Sequence, residues 1–166
     1  MKFIQVKSDQ DISKVADLAN EIWNDYYSKI LSLDQIDYML ENLQSYSAIA
    51  QSIENDELNY YLLDVDGLSV GYCAYGVGDR DMLLSKCYIL KDHRGKGYFS
   101  LVLDHLEAQA LSLNKDQLKL YVNKYNQSLK IYEHFGFEIN GSYQFDIGHG
   151  YIMDDYEMIK HIEKRA

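Results

Sequence analysis

Between Leu90 and Phe99 the chain runs Lys-Asp-His-Arg-Gly-Lys-Gly-Tyr, two glycines set among cations between an apolar run and an amphipathic one. The preceding Cys87, Tyr88, Ile89 and Leu90 read as a short buried strand. The following Phe99, Val102, Leu103, Leu106, Ala110 and Leu113 recur at the spacing of one helical face. A glycine-bearing loop therefore opens into a helix N-terminus, where unpaired backbone N–H groups and the helix dipole favour an anion. Gly95 and Gly97 let backbone approach a phosphate, and Arg94 and Lys96 add cationic donors. The spacing alone is also compatible with an ordinary solvated loop. A Walker loop is excluded, because Gly97 rather than Ser or Thr follows Lys96. A dinucleotide fingerprint is excluded by Ser100, where a third glycine would stand.

A second stretch of suggestive composition lies downstream, Tyr121 to Glu138, where Asn126, Ser128, Tyr132, Gly136 and Phe137 follow one another at fixed offsets. With Arg94, Gly97 and Tyr98, these residues resemble the two signature segments of the GCN5-related N-acetyltransferases (GNAT). The resemblance runs from about Leu83 to the C-terminus. Phe99 departs from it, standing where the family has Gly or Ala. The resemblance implies a mixed, twisted, mostly antiparallel α/β (α+β) sheet with helices on both faces, and acetyl-CoA as cofactor. It implies that Arg94, Gly95, Lys96, Gly97, Tyr98 and Phe99 hold the pyrophosphate, together with the strand residues Ile89 and Leu90. The Ile89 N–H is the implied oxyanion donor, and Asn123, Asn126 and Ser128 the implied contacts to pantetheine or a catalytic water. Tyr132 takes the family's general-acid position; in a chain with 16 tyrosines, a packed core tyrosine is the other reading.

The resemblance also puts the acceptor beside the first two helices, which makes Glu21, Trp23, Asp25, Tyr26 and Tyr27, with Asp34 and Asp37, candidates for amine recognition. Aromatic faces beside carboxylates suit an ammonium group, although each ring is equally explained by packing. Glu21, Asp25, Asp154 and Asp155 are the candidate general bases, and the sequence does not choose among them.

The elements that must position these residues follow in order. Lys2–Lys7 alternates as a strand, and Ser8 with Asp11 forms a capping box for a helix that buries Val15, Leu18, Ala19, Ile22 and Tyr26. Leu33–Leu43 is a second helix and Tyr46–Glu57 a third. Asn59–Val65 and Leu68–Gly78 flank Asp66-Gly67 as a hairpin, and Met82–Leu90 completes a meander. Gln117–Val122 is a strand. A helix capped by Asn126 follows, carrying Leu129, Tyr132 and Phe135 and stopping at Gly136. Two last strands, Phe137–Phe145 and Tyr151–Ile162, meet around Gly-His-Gly.

Composition bounds the rest. The 166 residues, 47% hydrophobic, suit one domain over residues 1–166. A net charge of −10 argues against nucleic acid and welcomes a cationic substrate. No apolar run reaches the roughly 20 residues of a membrane span, and the N-terminus lacks a signal core, so a cytoplasmic protein is expected. Cys73 and Cys87 read as buried small hydrophobes, and the five histidines have no ligand spacing, so no metal is expected. The expected activity is acetyl transfer to the primary amine of a small, cationic, polyamine-like acceptor. A protein or peptide N-acetyltransferase and a non-catalytic acyl-CoA sensor are the alternatives, and a homodimer is the assembly that the resemblance adds.

Overall fold

In the computed structural model, which describes residues 1–163, seven strands follow the order β1-β2-β3-β4-β5-β7-β6. They are β1 (Lys2–Gln5), β2 (Asn59–Val65), β3 (Leu68–Val77), β4 (Asp81–Ile89), β5 (Gln117–Asn123), β6 (Glu138–Gly148) and β7 (Tyr151–His161). Five helices accompany them: α1 (Asp9–Tyr26), α2 (Leu33–Leu43), α3 (Tyr46–Glu54), α4 (Tyr98–Ser112) and α5 (Leu129–His134). Two compact units share the chain, one from Met1–Gly76 with Ser85–Leu101, the other from Val77–Leu84 with Val102 onward.

The first unit is built on three serine-capped helices. Ser8 Oγ accepts the Asp11 N–H at 3.2 Å while Asp11 Oδ2 accepts the Ser8 N–H at 3.3 Å, the reciprocal pair expected of a capping box. The Ser8 hydroxyl holds the Asp11 carboxyl below its usual range. Ser32 and Ser45 cap α2 and α3 in the same way, accepting the Gln35 and Ala48 N–H groups. The apolar stripe of α1 buries Ile12, Val15, Leu18, Ala19, Ile22 and Trp23. Tyr26, expected on that stripe, is half-buried instead. The third helix ends at Glu54, three residues before the expected Glu57. Asp56 turns left-handed there (φ 54°), and its N–H bonds to the Ile53 carbonyl, closing the helix.

Strands β1, β2 and β3 pair antiparallel, with Asn59↔Tyr75 and Val65↔Leu68 at the ends of the hairpin. Asp66 and Gly67 both have positive φ, 54° and 85°, the requirement of a type I′ turn. The core of this unit includes Ile36, Ile49, Leu62, Leu63, Val70 and Tyr72. The buried Tyr72 hydroxyl donates to Gln44 Oε1 at 3.1 Å, so its polar tip does not go unmatched.

In the second unit, β5 pairs with β4 in parallel, Asp81–Leu83 against Gln117–Lys119, and with β7 antiparallel along its whole length to Asn123↔Asp155. β6 pairs antiparallel with β7. Helix α4 buries Val102, Leu103, Leu106 and Ala110, and β5 buries Leu118, Leu120 and Val122. Each such Leu contributes about 1.5–3 kcal/mol through lost apolar exposure. Leu113 does not join that face. Asn114 adopts φ 57° and the Lys115 N–H bonds to the Ala110 carbonyl, so the helix has ended and Leu113 is left exposed. Cys73 is buried, whereas Cys87 is half-buried rather than fully enclosed as expected.

Candidate active site

The glycine-bearing loop lies between β4 and α4, as the pattern of the sequence requires. After Ile89 the chain makes one 3-10 turn, Lys91–His93. The Arg94 side chain then folds back, its Nε donating to the Ile89 carbonyl at 2.8 Å. Its Nη1 lies 3.5 Å from Asp25 Oδ2, and its guanidinium carbon lies 5.2 Å from the centre of the Tyr26 ring. Lys91 Nζ approaches the other Asp25 oxygen at 3.7 Å. Arg94 thus fixes the strand end to the last turn of α1. Gly95, Lys96 and Gly97 are exposed beyond it.

Gly95 and Gly97 have φ of 72° and 79°, and a Cβ built on either would meet nothing within 4 Å. The backbone conformation, rather than crowding, is what calls for glycine at both positions. The open space beside them is where a phosphate would approach, and α4, fifteen residues long, begins at Tyr98 directly after Gly97, the kind of helix start that favours an anion. Replacing Gly97 with alanine should weaken acetyl-CoA binding by about tenfold, because the left-handed φ costs about 1–2 kcal/mol in an L-residue. Calorimetric titration of the variant with acetyl-CoA measures that loss.

Trp23 on α1 and Tyr27 directly after it form an internal cluster with Tyr72 and Tyr88. Trp23 stacks on Tyr27 at 4.3 Å and tilts against Tyr88 at 5.6 Å, while Tyr72 reaches Tyr88 at 5.4 Å. Trp23 is 3% exposed and Tyr27 8%. These rings form the wall of a core. Asp25 is engaged with Arg94 and Lys91, while Glu21, Asp34 and Asp37 are exposed.

In the second unit the candidates cluster after β5. Asn123 Oδ1 accepts the Tyr125 N–H at 2.9 Å, and Asn126 Oδ1 accepts the Ser128 N–H at 2.8 Å. Two successive Asx turns therefore carry the chain from β5 into α5. Asn126, expected as the helix cap, is the buried pivot of the second turn, and Ser128 occupies the cap position without a side-chain cap bond. Tyr132 is half-buried on α5, its ring edge-on to the buried Phe137 at 6.0 Å. Gly136 (φ 88°) and the bond from the Phe137 N–H to the Tyr132 carbonyl end the helix directly behind it.

Among the candidate bases, Asp154 is held by Lys124 at 2.6 Å. Asp155 is buried, with its carboxyl pushed up to about 6, chiefly by burial, with Asp154 adding to the shift and Lys124 opposing it. Its neighbour Glu157, which sequence reading did not single out, accepts from the Tyr121 hydroxyl at 2.8 Å and from Asn140 Nδ2 at 2.7 Å. The signal was present: two acids two residues apart in a strand must share one face of the sheet. Among the described residues there is no cluster of three or more His, Cys, Asp or Glu placed to hold a metal, and no helix long and apolar enough to cross a membrane.

The Acetyltransferase (GNAT) domain family aligns with residues 21–154 of this chain. The chain belongs to the GNAT acetyltransferase family. It is similar to an N-acetyltransferase of Mycobacterium bovis described as uncharacterized, 34% identical over 99 residues, which make up 58% of this chain and 63% of that protein. The aligned part thus spans less than two thirds of that relative. Among solved structures, the PaiA N-acetyltransferase of Thermoplasma acidophilum in complex with coenzyme A is similar with a TM-score of 0.78 at 18% identity, covering 98% of this chain and 100% of the other. A GCN5-related N-acetyltransferase from Rhodopseudomonas palustris is similar with a TM-score of 0.81 at 14% identity, covering 97% and 95%. These two likenesses bear on the fold, which is the mixed, mostly antiparallel GNAT sheet.

Proposed function

We propose that this GNAT protein is an acetyl-CoA-dependent N-acetyltransferase that moves the acetyl group to the primary amine of a small acceptor by direct attack. The observation that carries the reading is the Arg94–Phe99 loop: two left-handed glycines, open space beside them, and a helix N-terminus behind. That set of groups fits a pyrophosphate. The coenzyme A bound to the similar Thermoplasma protein supports the same ligand class here.

Acetyl-CoA brings an activated thioester, and the chain's residues supply the remaining requirements. The loop amides and Lys96 hold the pyrophosphate, and Arg94 keeps the loop fastened to the Ile89 carbonyl. The parallel register of β4 with β5 spans three residues, and this supports docking of the pantetheine arm along the rest of β4 as an added strand. The Ile89 N–H serves as oxyanion donor. Asn123, Asn126 and Ser128 shape the turn that leads to Tyr132, whose phenol gives its proton to the departing thiolate. The acceptor must be uncharged to attack, yet an alkyl amine with a pKa of about 10.4 is neutral in roughly one molecule in two thousand at pH 7.

The test is CoA release from acetyl-CoA over a panel of diamines, amino acids, aminoglycosides and short peptides. Saturable turnover on one small-amine class supports the reading, and turnover on peptides alone replaces it with protein acetylation. Tight acetyl-CoA binding with no turnover on any amine would make the chain a sensor.

A further inference from the structure

Apart from the exposed Glu21, the residues of α1 that sequence pattern offers for the acceptor are engaged with their own neighbours, so recognition is better sought where a buried group is left unmatched. One such group lies on β7. Asp155 and Glu157 are two residues apart and share a face of the strand. The register sets Asn123 of β5 and Tyr143 of β6 on either side of Asp155, and Tyr121 of β5 beside Glu157. Glu157 is satisfied by Tyr121 and Asn140. Asp155 is not: it is 8% exposed, and its Oδ1 has no hydrogen-bond partner among the described residues. The adjacent ammonium, Lys124, is held by Asp154 and lies against the Tyr156 ring.

Three rings stand on the strands flanking β7. Tyr121 lies 6.1 Å from Tyr143 and 5.3 Å from Phe145, and Tyr143 stacks on Phe145 at 6.1 Å. All three are exposed, at 37%, 44% and 38%. Aromatic faces carry the negative side of the ring quadrupole and attract cations. A buried carboxylate without a partner is costly and is relieved by an incoming cation. The two features on one face call for the same kind of ligand.

We propose that the β5–β7–β6 face binds an ammonium group of the acceptor, with Asp155 as its counter-ion and the rings of Tyr121, Tyr143 and Phe145 as its walls. The inference rests on the acetyltransferase reading and goes further by naming the acceptor class. A carboxylate favours the charged form of an amine, whereas the attacking nitrogen must be neutral. The nitrogen held at Asp155 is therefore not the one acetylated. The acceptor carries two or more amines, one anchored as a cation and another presented for reaction.

The full chain, saturated with CoA, is titrated calorimetrically with putrescine, which has two ammonium groups, and with butylamine, which has one. Putrescine is expected to bind at least about tenfold more tightly, with the preference lost in Asp155→Asn. Tyr143→Leu should weaken putrescine by about threefold to tenfold through loss of one ring. Equal binding of the two amines by the wild type, or an unchanged preference in Asp155→Asn, overturns the proposal. If Asp155→Asn does not fold, Tyr143→Leu decides, and an unchanged preference there overturns it too. A wild type that prefers putrescine yet acetylates no amine would sink the enzyme reading while leaving the cation site standing.

Discussion

Replacing Tyr132 with phenylalanine is expected to lower kcat by about 10²-fold or more while leaving the acetyl-CoA Kd within about twofold, as befits loss of a proton donor. The substitution removes one oxygen and keeps the ring, so the edge contact with Phe137 at 6.0 Å survives. The backbone bonds that close α5, from the Tyr132 N–H to the Ser128 carbonyl and from the Phe137 N–H to the Tyr132 carbonyl, are also untouched. A fall in kcat with the acetyl-CoA Kd unchanged therefore reports chemistry rather than a displaced helix. Steady-state kinetics with a parallel calorimetric titration separates the two readings of this residue. A variant with wild-type kcat would make Tyr132 a packing residue and leave the thiolate to be protonated from solvent.

Converting Asp155 to asparagine is expected to stabilise the fold near pH 7 by about 1–3 kcal/mol while damaging amine binding. Burial, reinforced by Asp154, pushes the Asp155 carboxyl up to about 6, against the opposing influence of Lys124. The groups beside it are Asn123 from β5, Tyr143 from β6, and Asp154 and Glu157 on its own strand. An unfolded Asp titrates near 3.9, so between about pH 4 and pH 6 the native state binds more protons than the unfolded one. The contribution of this residue to stability is therefore fully present below about pH 4 and is lost as pH rises through about 6. Asparagine removes that dependence, and the gap between variant and wild type should close as pH falls to about 4. Urea unfolding at several pH values measures it. An asparagine variant less stable than wild type at pH 7 would mean that the carboxylate is paired in the native protein, and the cation site would lose its premise. Stability gained where function is lost is common for groups held unsatisfied at a binding site.

Local signals carried much of the architecture. The Ser8–Asp11 box, the Asp66-Gly67 turn and the Gly136 stop are each decided by a few adjacent residues, and each forms as its chemistry demands. The Arg94–Phe99 loop was legible for the same reason: positive φ and a helix start are properties of short segments. Where sequence reading went astray, the deciding interaction was non-local or turned on one residue's backbone. Leu113 continues the helical period of α4, but Asn114 turns left-handed and the period ceases to matter. Asp56 does the same to α3.

The functional side chains were harder to assign, because a residue's partner lies far away in the chain. Asp25 looks like an amine ligand until Arg94, 69 positions away, is found against it. Trp23 and Tyr27 look like a binding surface until Tyr72 and Tyr88 are found to close them in. Asp154 and Asp155 are indistinguishable as neighbours in sequence. The alternation of the strand sends them to opposite faces, one to Lys124 and the other to a buried site without an ion-pair partner among the described residues.

The central claim, acetyl transfer to an amine nitrogen, is tested most directly by identifying the product. The protein is incubated with acetyl-CoA carrying a deuterated acetyl group and with a diamine, and the small molecules are analysed by mass spectrometry. The account predicts one labelled acetyl group in amide linkage on the diamine, formed in step with CoA and markedly reduced in Tyr132→Phe. Labelled free acetate alone, with CoA released at the same rate whether or not an amine is present, would contradict it.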